Sequence, residues 1–221
     1  MSVPTAEGAL YEVDTRLRPS GAQGPIAVSF AAFERYQRES AWTWEHMALA
    51  RARVLHGPGQ GRDALDTIIK AVLQIDRDPA KLRAEVLEMR ATMVQHKPAK
   101  GPLDVKLARG GLVDIEFITH FLQLRDHLAL VPAIPAALAL LVAQGRLDPA
   151  IAAAHLVLGR FLIAARLLMP DGEEPPASAR AVLASACECA DWACLTDKLA
   201  ESRRAVAAAW AATFGEDLEI D

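Results

Sequence analysis

One stretch near the start of the chain runs on a two-residue period, and beyond residue 30 every periodic segment runs on helical spacing. In YEVDTRLR, residues 11–18, Tyr11, Val13, Thr15 and Leu17 share one side, while Glu12, Asp14, Arg16 and Arg18 share the other. That alternation predicts a strand with one fully charged face, and Pro19, Ser20 and Gly21 stop it. IAVSF, residues 26–30, reads as a short second strand. Two strands do not make an independently stable sheet. Either they lie directly on helices or the rest of their sheet belongs elsewhere, and the second arrangement is the one expected.

The remainder predicts helices. Ser29 is placed to cap a helix through Ala32, Phe33 and Tyr36. AWTWEHMALARARVL follows, then a break at HGPGQGRD, residues 56–63, then ALDTIIKAVLQI. In AKLRAEVLEMRATMVQH, Leu82, Val86, Met89 and Met93 form an amphipathic stripe. KPAKGP, residues 97–102, is a second break and sets expected domains of 1–100 and 101–221. Beyond it lie a helix from LVDIEF, one ended by Gly145, one begun by Asp148-Pro149, and a long Ala-rich tail. Apolar residues make up 52% of the chain but aromatics only 5%, so the core draws on Ala, Leu and Val, and Ala and Leu favour helix. The fold class expected is mainly α, with one or two strands of a sheet remnant followed by an α-helical bundle.

Composition excludes some functions. A net charge of −4 and a pI near 5.9 leave no general footprint for nucleic acid. Cys187, Cys189 and Cys194 are an odd, clustered set, which reads as buried thiols in a reducing compartment, not a disulfide framework. No segment reads as membrane-spanning, since Ala150–Met169 carries His155, Arg160 and Arg166. MSVPTAEGAL lacks the basic and apolar regions of a secretion signal, so a cytoplasmic location is expected. His120, His127 and His155 are scattered and read as core or surface residues.

Three stretches could carry chemistry. A strand that presents Asp14 beside Arg16 and Arg18 offers a carboxylate for a metal ion and cations for phosphate oxygens. Gly21 and Gly24 would let backbone approach a ligand. The same row also reads as a solvated charged face. In AWTWEHMALARAR, residues 41–53, Trp42 and Trp44 precede Glu45, His46, Arg51 and Arg53. These suit an aromatic–basic helix against a base or phosphate, or tryptophans anchoring the core. In DVKLARGGLVDIEF, residues 104–117, Gly110-Gly111 precedes a helix with Asp114 and Glu116 early in it. Free amides there could bind an anion, with Lys106 and Arg109 assisting; an ordinary glycine turn fits equally.

YEVDTRLRPSGAQGP, AFERYQRESAWTWEHMALARARV and KLARGGLVDIEF, in this order, resemble the glutamine synthetase adenylyltransferase family. The match covers most of residues 4–125. AWTWEH and the helical tail resemble its C-terminal, adenylylating half. The resemblance implies a nucleotidyltransferase using ATP and Mg²⁺, a glutamine synthetase tyrosine as acceptor, and control by PII signalling protein and glutamine. It implies that Asp14 is the third carboxylate of the nucleotidyltransferase sheet, catalytic and metal-facing. Arg16, Arg18 and Gly21 would adjoin the nucleotide, and Lys106, Gly110, Gly111, Asp114 and Glu116 would line or brace the site. The family's Gly-Ser turn and Asp-x-Asp strand are expected before YEVDTRL, where only MSVPTAEGAL stands. The chain is therefore expected to be catalytically incomplete alone, with a non-catalytic helical module binding glutamine synthetase or PII protein as the alternative.

Overall fold

A computed structural model describes residues 6, 8, 14, 15, 17–168 and 174–220. The mainly helical expectation holds: among the described residues there are nine α-helices and no strand. Residues 11–13 and 16 of the expected first strand lie outside the described residues. Leu17 and Arg18 form a bend that leads into a 3₁₀ turn at Gly21–Gln23. IAVSF is not a strand. Residues 26–29 are irregular, and Phe30 opens the first helix because the Ser29 hydroxyl accepts the Ala32 amide at 3.2 Å.

Backbone contacts divide the chain into two compact units, Met1–Ile75 and Asp76–Asp221. In the first, α1 (Phe30–Glu39) and α2 (Thr43–Leu49) both pack on α3 (Gly59–Leu73). Met47, Leu49, Val72 and Leu73 are its buried apolar residues in these helices.

The second unit holds α4 (Pro79–His96), α5 (Leu112–Asp126), α6 (Ile134–Ala143), α7 (Pro149–Leu168), α8 (Ala177–Ala186) and α9 (Trp192–Phe214). Its axis is α5, where Val113, Asp114, Ile115 and every residue from Phe117 to Leu124 are buried. A helix covered on all sides must be packed all round, and α5 touches α4, α6, α7 and α9. Phe121, Trp210 and Phe214 stack at its α9 side, with centroids 4.8 Å apart for Phe121–Phe214 and 4.4 Å for Trp210–Phe214. The division at Ile75 differs from the expected one at residue 100. The KPAKGP loop does break the helices, but α4 buries Leu82, Val86 and Arg90, packs on α5 and is bonded to it through Arg90, and so belongs with the second bundle.

Helix ends follow the sequence signals closely. Asp148 accepts the Ala150 amide at 2.8 Å to start α7 after Pro149, and Gly145 turns the chain at φ 67° beyond α6. α7 has the length and mean hydropathy, 1.7, of a membrane span, contrary to the sequence expectation. Its Ile151, Ala154, Leu158 and Phe161 face is buried in the bundle, and Arg160 pairs with Glu188 at 2.6 Å.

Candidate functional site

The expected site residues fall in both units, Asp14, Arg18 and Gly21 in the first and Lys106 to Glu116 in the second. Arg16 lies outside the described residues. Asp14 is exposed. Arg18, four residues on, is committed to its own loop. Its guanidinium donates to the Thr15 carbonyl at 2.6 Å, the Thr15 hydroxyl at 2.9 Å, the Gly24 carbonyl at 3.1 Å and the Ala22 carbonyl at 3.2 Å. The guanidinium fork thus gathers carbonyls of a turn that also bonds its own Gly21, Gln23 and Gly24 amides. Gly21 sits at φ 55°, and a Cβ on Gly24 would stand 2.0 Å from the Pro19 oxygen. These glycines let the chain fold back on itself around Arg18, a use the sequence reading did not assign.

The AWTWEH stretch departs from the reading in which its tryptophans anchor the core. Trp42 is 71% exposed and Trp44 43%, so neither anchors the core. The buried side of α2 is made by His46, Met47 and Leu49. Glu45 is the organising residue. One carboxylate oxygen accepts the Trp42 amide at 2.8 Å, half of a capping box, and the other accepts the Tyr36 hydroxyl at 2.9 Å. Burial, reinforced by Glu45, raises the Tyr36 phenol above its usual range. Nε2 of His46 meets the Gln37 carbonyl at 2.8 Å, which makes that nitrogen the protonated one. Both contacts tie α2 to α1 and leave the two tryptophans facing outward.

The ARGG turn is a clasp. Asp114 has 0% side-chain exposure and pairs with Arg90, which has 2%, through Nε–Oδ1 at 2.6 Å. Arg90 also donates to the Leu107 carbonyl at 3.1 Å, and Asp114 accepts the Gly110 amide at 2.7 Å. Nε of Arg203, on α9, donates to the Arg109 carbonyl at 2.9 Å. One turn thereby joins α4, α5 and α9.

The two glycines are required by this closeness. A Cβ on Gly111 would meet the Val105 oxygen at 2.5 Å and the Ala108 oxygen at 2.7 Å. Gly110 has φ 76°, and a Cβ there would meet the Arg203 oxygen at 2.7 Å. The amides that begin α5 are already bonded: Gly111 to Ala108, Leu112 to Val105, Val113 to Lys106 and Asp114 to Gly111, all carbonyls at 2.9–3.1 Å. Of the two readings of this helix start the glycine turn holds and the anion site does not, because an anion needs donors that no carbonyl has taken. Of the sequence candidates, Gly110, Gly111 and Asp114 are brought together as a brace. Lys106 is exposed and Glu116 half-buried, both outside the clasp.

Arg90 and Arg203 were missed by the sequence reading. Arg90 did carry a signal, since it lies four residues after Val86 in the buried register of α4. No group of three or more His, Cys, Asp or Glu suited to a metal is found among the described residues. The sole Asp-x-Asp, Asp76-Arg77-Asp78, precedes α4, and Asp78 caps that helix by accepting the Ala80 amide at 2.8 Å. Asp14 belongs to no such group among the described residues.

Residues 1–67 match the family model for glutamate-ammonia ligase adenylyltransferase. Three relatives carry the name bifunctional glutamine synthetase adenylyltransferase/adenylyl-removing enzyme. The Rhizobium meliloti protein is 43% identical over 213 residues, 92% of this chain and 22% of the relative. The Agrobacterium fabrum protein is 53% identical over 124 residues, 56% of this chain and 13% of the relative. The Caulobacter vibrioides protein is 53% identical over 125 residues, again 56% and 13%. The resemblance to this family is thus upheld on both measures, and the chain spans about a fifth or less of the length of these relatives.

Proposed function

We propose that this chain, which resembles glutamine synthetase adenylyltransferases along most of its length, is part of an enzyme that transfers AMP from ATP to a tyrosine of glutamine synthetase. The observation that carries the reading is the 43% identity over 92% of the chain with a protein of that name. AWTWEH and the terminal bundle favour the C-terminal, adenylylating half. The segment before the Leu17–Arg18 bend, which carries Asp14, would join a nucleotidyltransferase sheet whose other strands come from the rest of the enzyme. Asp14 would then face the nucleotide, and its exposure is compatible with that role. Mg²⁺, when bound, would neutralise charge on the phosphates, but with one ligand here we assign no metal step to this chain. PII signalling protein is the expected regulator and the cytoplasm the expected location, with no nucleic-acid or membrane partner.

In this reading the 221-residue chain is catalytically incomplete, because no Gly-Ser turn with an Asp-x-Asp strand accompanies Asp14. Purified chain, ATP, Mg²⁺ and glutamine synthetase should give no labelled glutamine synthetase, and robust adenylylation would refute this. A second reading, a helical module that binds glutamine synthetase or PII protein without chemistry, draws support from internal bonding: Arg18 is engaged in its own loop, and Gly110, Gly111 and Asp114 in the clasp. Asp14→Ala in a longer active chain separates the two. Loss of turnover with glutamine synthetase binding kept favours the transferase role; unchanged turnover favours the module.

A further inference from the structure

The second unit contains a cavity of about 620 Å³ that the proposed chemistry does not use. Trp192, Thr196, Leu199 and Arg203 recur every three or four residues, so they share one face of α9, and that face is one wall of the cavity. The KPAKGP loop and the residue after it supply another wall, through Lys100 and Leu103. This loop is held in shape. The Asp104 amide donates to the Gly101 carbonyl at 3.0 Å, and the Asp104 carboxylate accepts the Lys100, Lys106 and Leu107 amides at 3.1–3.3 Å. The walls are thus preorganised. Cys194, also on α9, is exposed and falls off the cavity face, so only Cys187 and Cys189 are the buried thiols expected.

The lining is mostly apolar and is cationic at two points. Trp192 offers a flat surface, and Leu103 and Leu199 extend it. The indole is steadied by Arg180, whose guanidinium stacks over it at 5.6 Å and pairs with Glu174 at 2.7 Å. Arg203 is 7% exposed, and its Nε is fixed on the Arg109 carbonyl at 2.9 Å. A positive charge is thereby kept at the buried side of the cavity, where screening by solvent is weak. Lys100 brings a second charge from the exposed side. Glu174 is the carboxylate in the lining, and Arg180 offsets it. The cavity is therefore positive in a chain whose net charge is −4, and low-dielectric walls focus such a field on an anion.

We propose that this cavity binds an organic anion with a flat, apolar body, of which an aromatic carboxylate is the simplest case. The ring displaces water from Trp192, Leu103 and Leu199, and the acid group is met by Lys100 and Arg203. The volume lies within the roughly 300–1,000 Å³ of small-molecule sites. A neutral ring satisfies the apolar walls alone, and a small inorganic anion satisfies the cations alone. Every lining residue belongs to Asp76–Asp221, so the binding does not depend on Asp14 or on the transferase role. The ligand would bear on the guanidinium that joins α9 to the turn before α5, and so on the clasp.

The probe is naphthoate, with its neutral isostere naphthamide as the control. Each is titrated into the isotope-labelled 221-residue chain at constant ionic strength, and the indole N–H signals of Trp42, Trp44, Trp192 and Trp210 are followed by NMR. Trp192→Phe identifies the Trp192 signal. Naphthoate should move that signal saturably and bind about tenfold or more tightly than naphthamide, because the amide lacks the charge that both cations meet. Lys100→Ala, at an exposed position, should weaken naphthoate about two- to fivefold, the range of an exposed ion pair, and leave naphthamide unchanged. Equal affinity for acid and amide would overturn the proposal. An unmoved Trp192 signal at millimolar naphthoate, shifts confined to Trp42 and Trp44, or undiminished naphthoate binding by Lys100→Ala would each do the same.

Discussion

Asp114→Ala is the sharpest test of the clasp. The substitution removes both contacts to Arg90, at 2.6 and 3.4 Å, and the acceptor of the Gly110 amide. Arg90 is left with its charge among buried groups and with the Leu107 carbonyl as its remaining acceptor in the turn. Removing one partner of a buried pair costs about 3–5 kcal/mol. Asp114→Asn keeps the shape but loses a bond to a charged group, so about 1.5–3 kcal/mol is expected. The double variant Arg90→Met with Asp114→Leu strands no charge. Its main penalty is the orphaned Gly110 amide, about 1–3 kcal/mol, so it should be milder than Asp114→Ala alone. Urea unfolding followed by far-UV circular dichroism, fitted with a transition for each unit, gives the shifts. Hydrogen exchange of the α5 amides localises them. A cost for Asp114→Ala below about 1 kcal/mol, the range of exposed ion pairs, would refute the reasoning. So would a double variant as unstable as the two single losses summed.

Other substitutions should respond according to their surroundings. Gly111→Ala forces a methyl against two backbone oxygens at 2.5 and 2.7 Å; a loss of about 1–3 kcal/mol or more is expected in the same urea assay. Trp42→Ala and Trp44→Ala, at exposed positions, should each change stability by only about 0.5 kcal/mol, where a core tryptophan would cost about 3–5 kcal/mol. Arg18→Ala should open residues 15–24 to limited proteolysis while the helical circular dichroism stays unchanged, because its four bonds all serve that loop. Burial holds His155 below its ordinary value of 6.5. The unfolded chain then takes the proton first, so stability declines as pH falls below about 6.5 until the folded pKa is passed. His155→Gln should flatten that part of a stability–pH curve.

Local signals were legible because their physics is local. Ser29 and the Asp148-Pro149 pair could be read as helix starts, since a cap needs only its own next three amides. The apolar stripe of α4 holds at Leu82 and Val86, but the next buried position in that register is Arg90, not Met89 or Met93. An arginine in an apolar stripe becomes intelligible only when its partner is known, and Asp114 lies 24 residues away. The tryptophans had two readings, core anchors or an outward aromatic–basic face, and only the first is excluded, because the buried side of α2 is filled by His46, Met47 and Leu49. At Gly110-Gly111 the need for a close approach was readable from the absence of side chains. What approached was not, because Arg203 comes from α9 and the carbonyls that fill the α5 amides come from the preceding loop.

This difference bears on how mutants of a longer active chain should be read. Residues quoted in one motif need not share one role. Arg18, Gly111 and Asp114 hold their loops and helices together, so replacing any of them alters the scaffold before it can alter a reaction. Asp14 and Lys106 are exposed, and their side chains can be changed without opening the described core. Loss of turnover in Asp114→Ala would therefore say little about catalysis, since the same change costs several kcal/mol of folding by the argument above. Loss in Asp14→Ala, with the unfolding curve unmoved, would speak to chemistry directly. Lys106→Ala serves as the companion test from the second unit. An unchanged turnover there would confine the contribution of the LARGGLVDIEF stretch to bracing, and a reduced one at constant stability would give it a part in the site that the clasp alone does not supply.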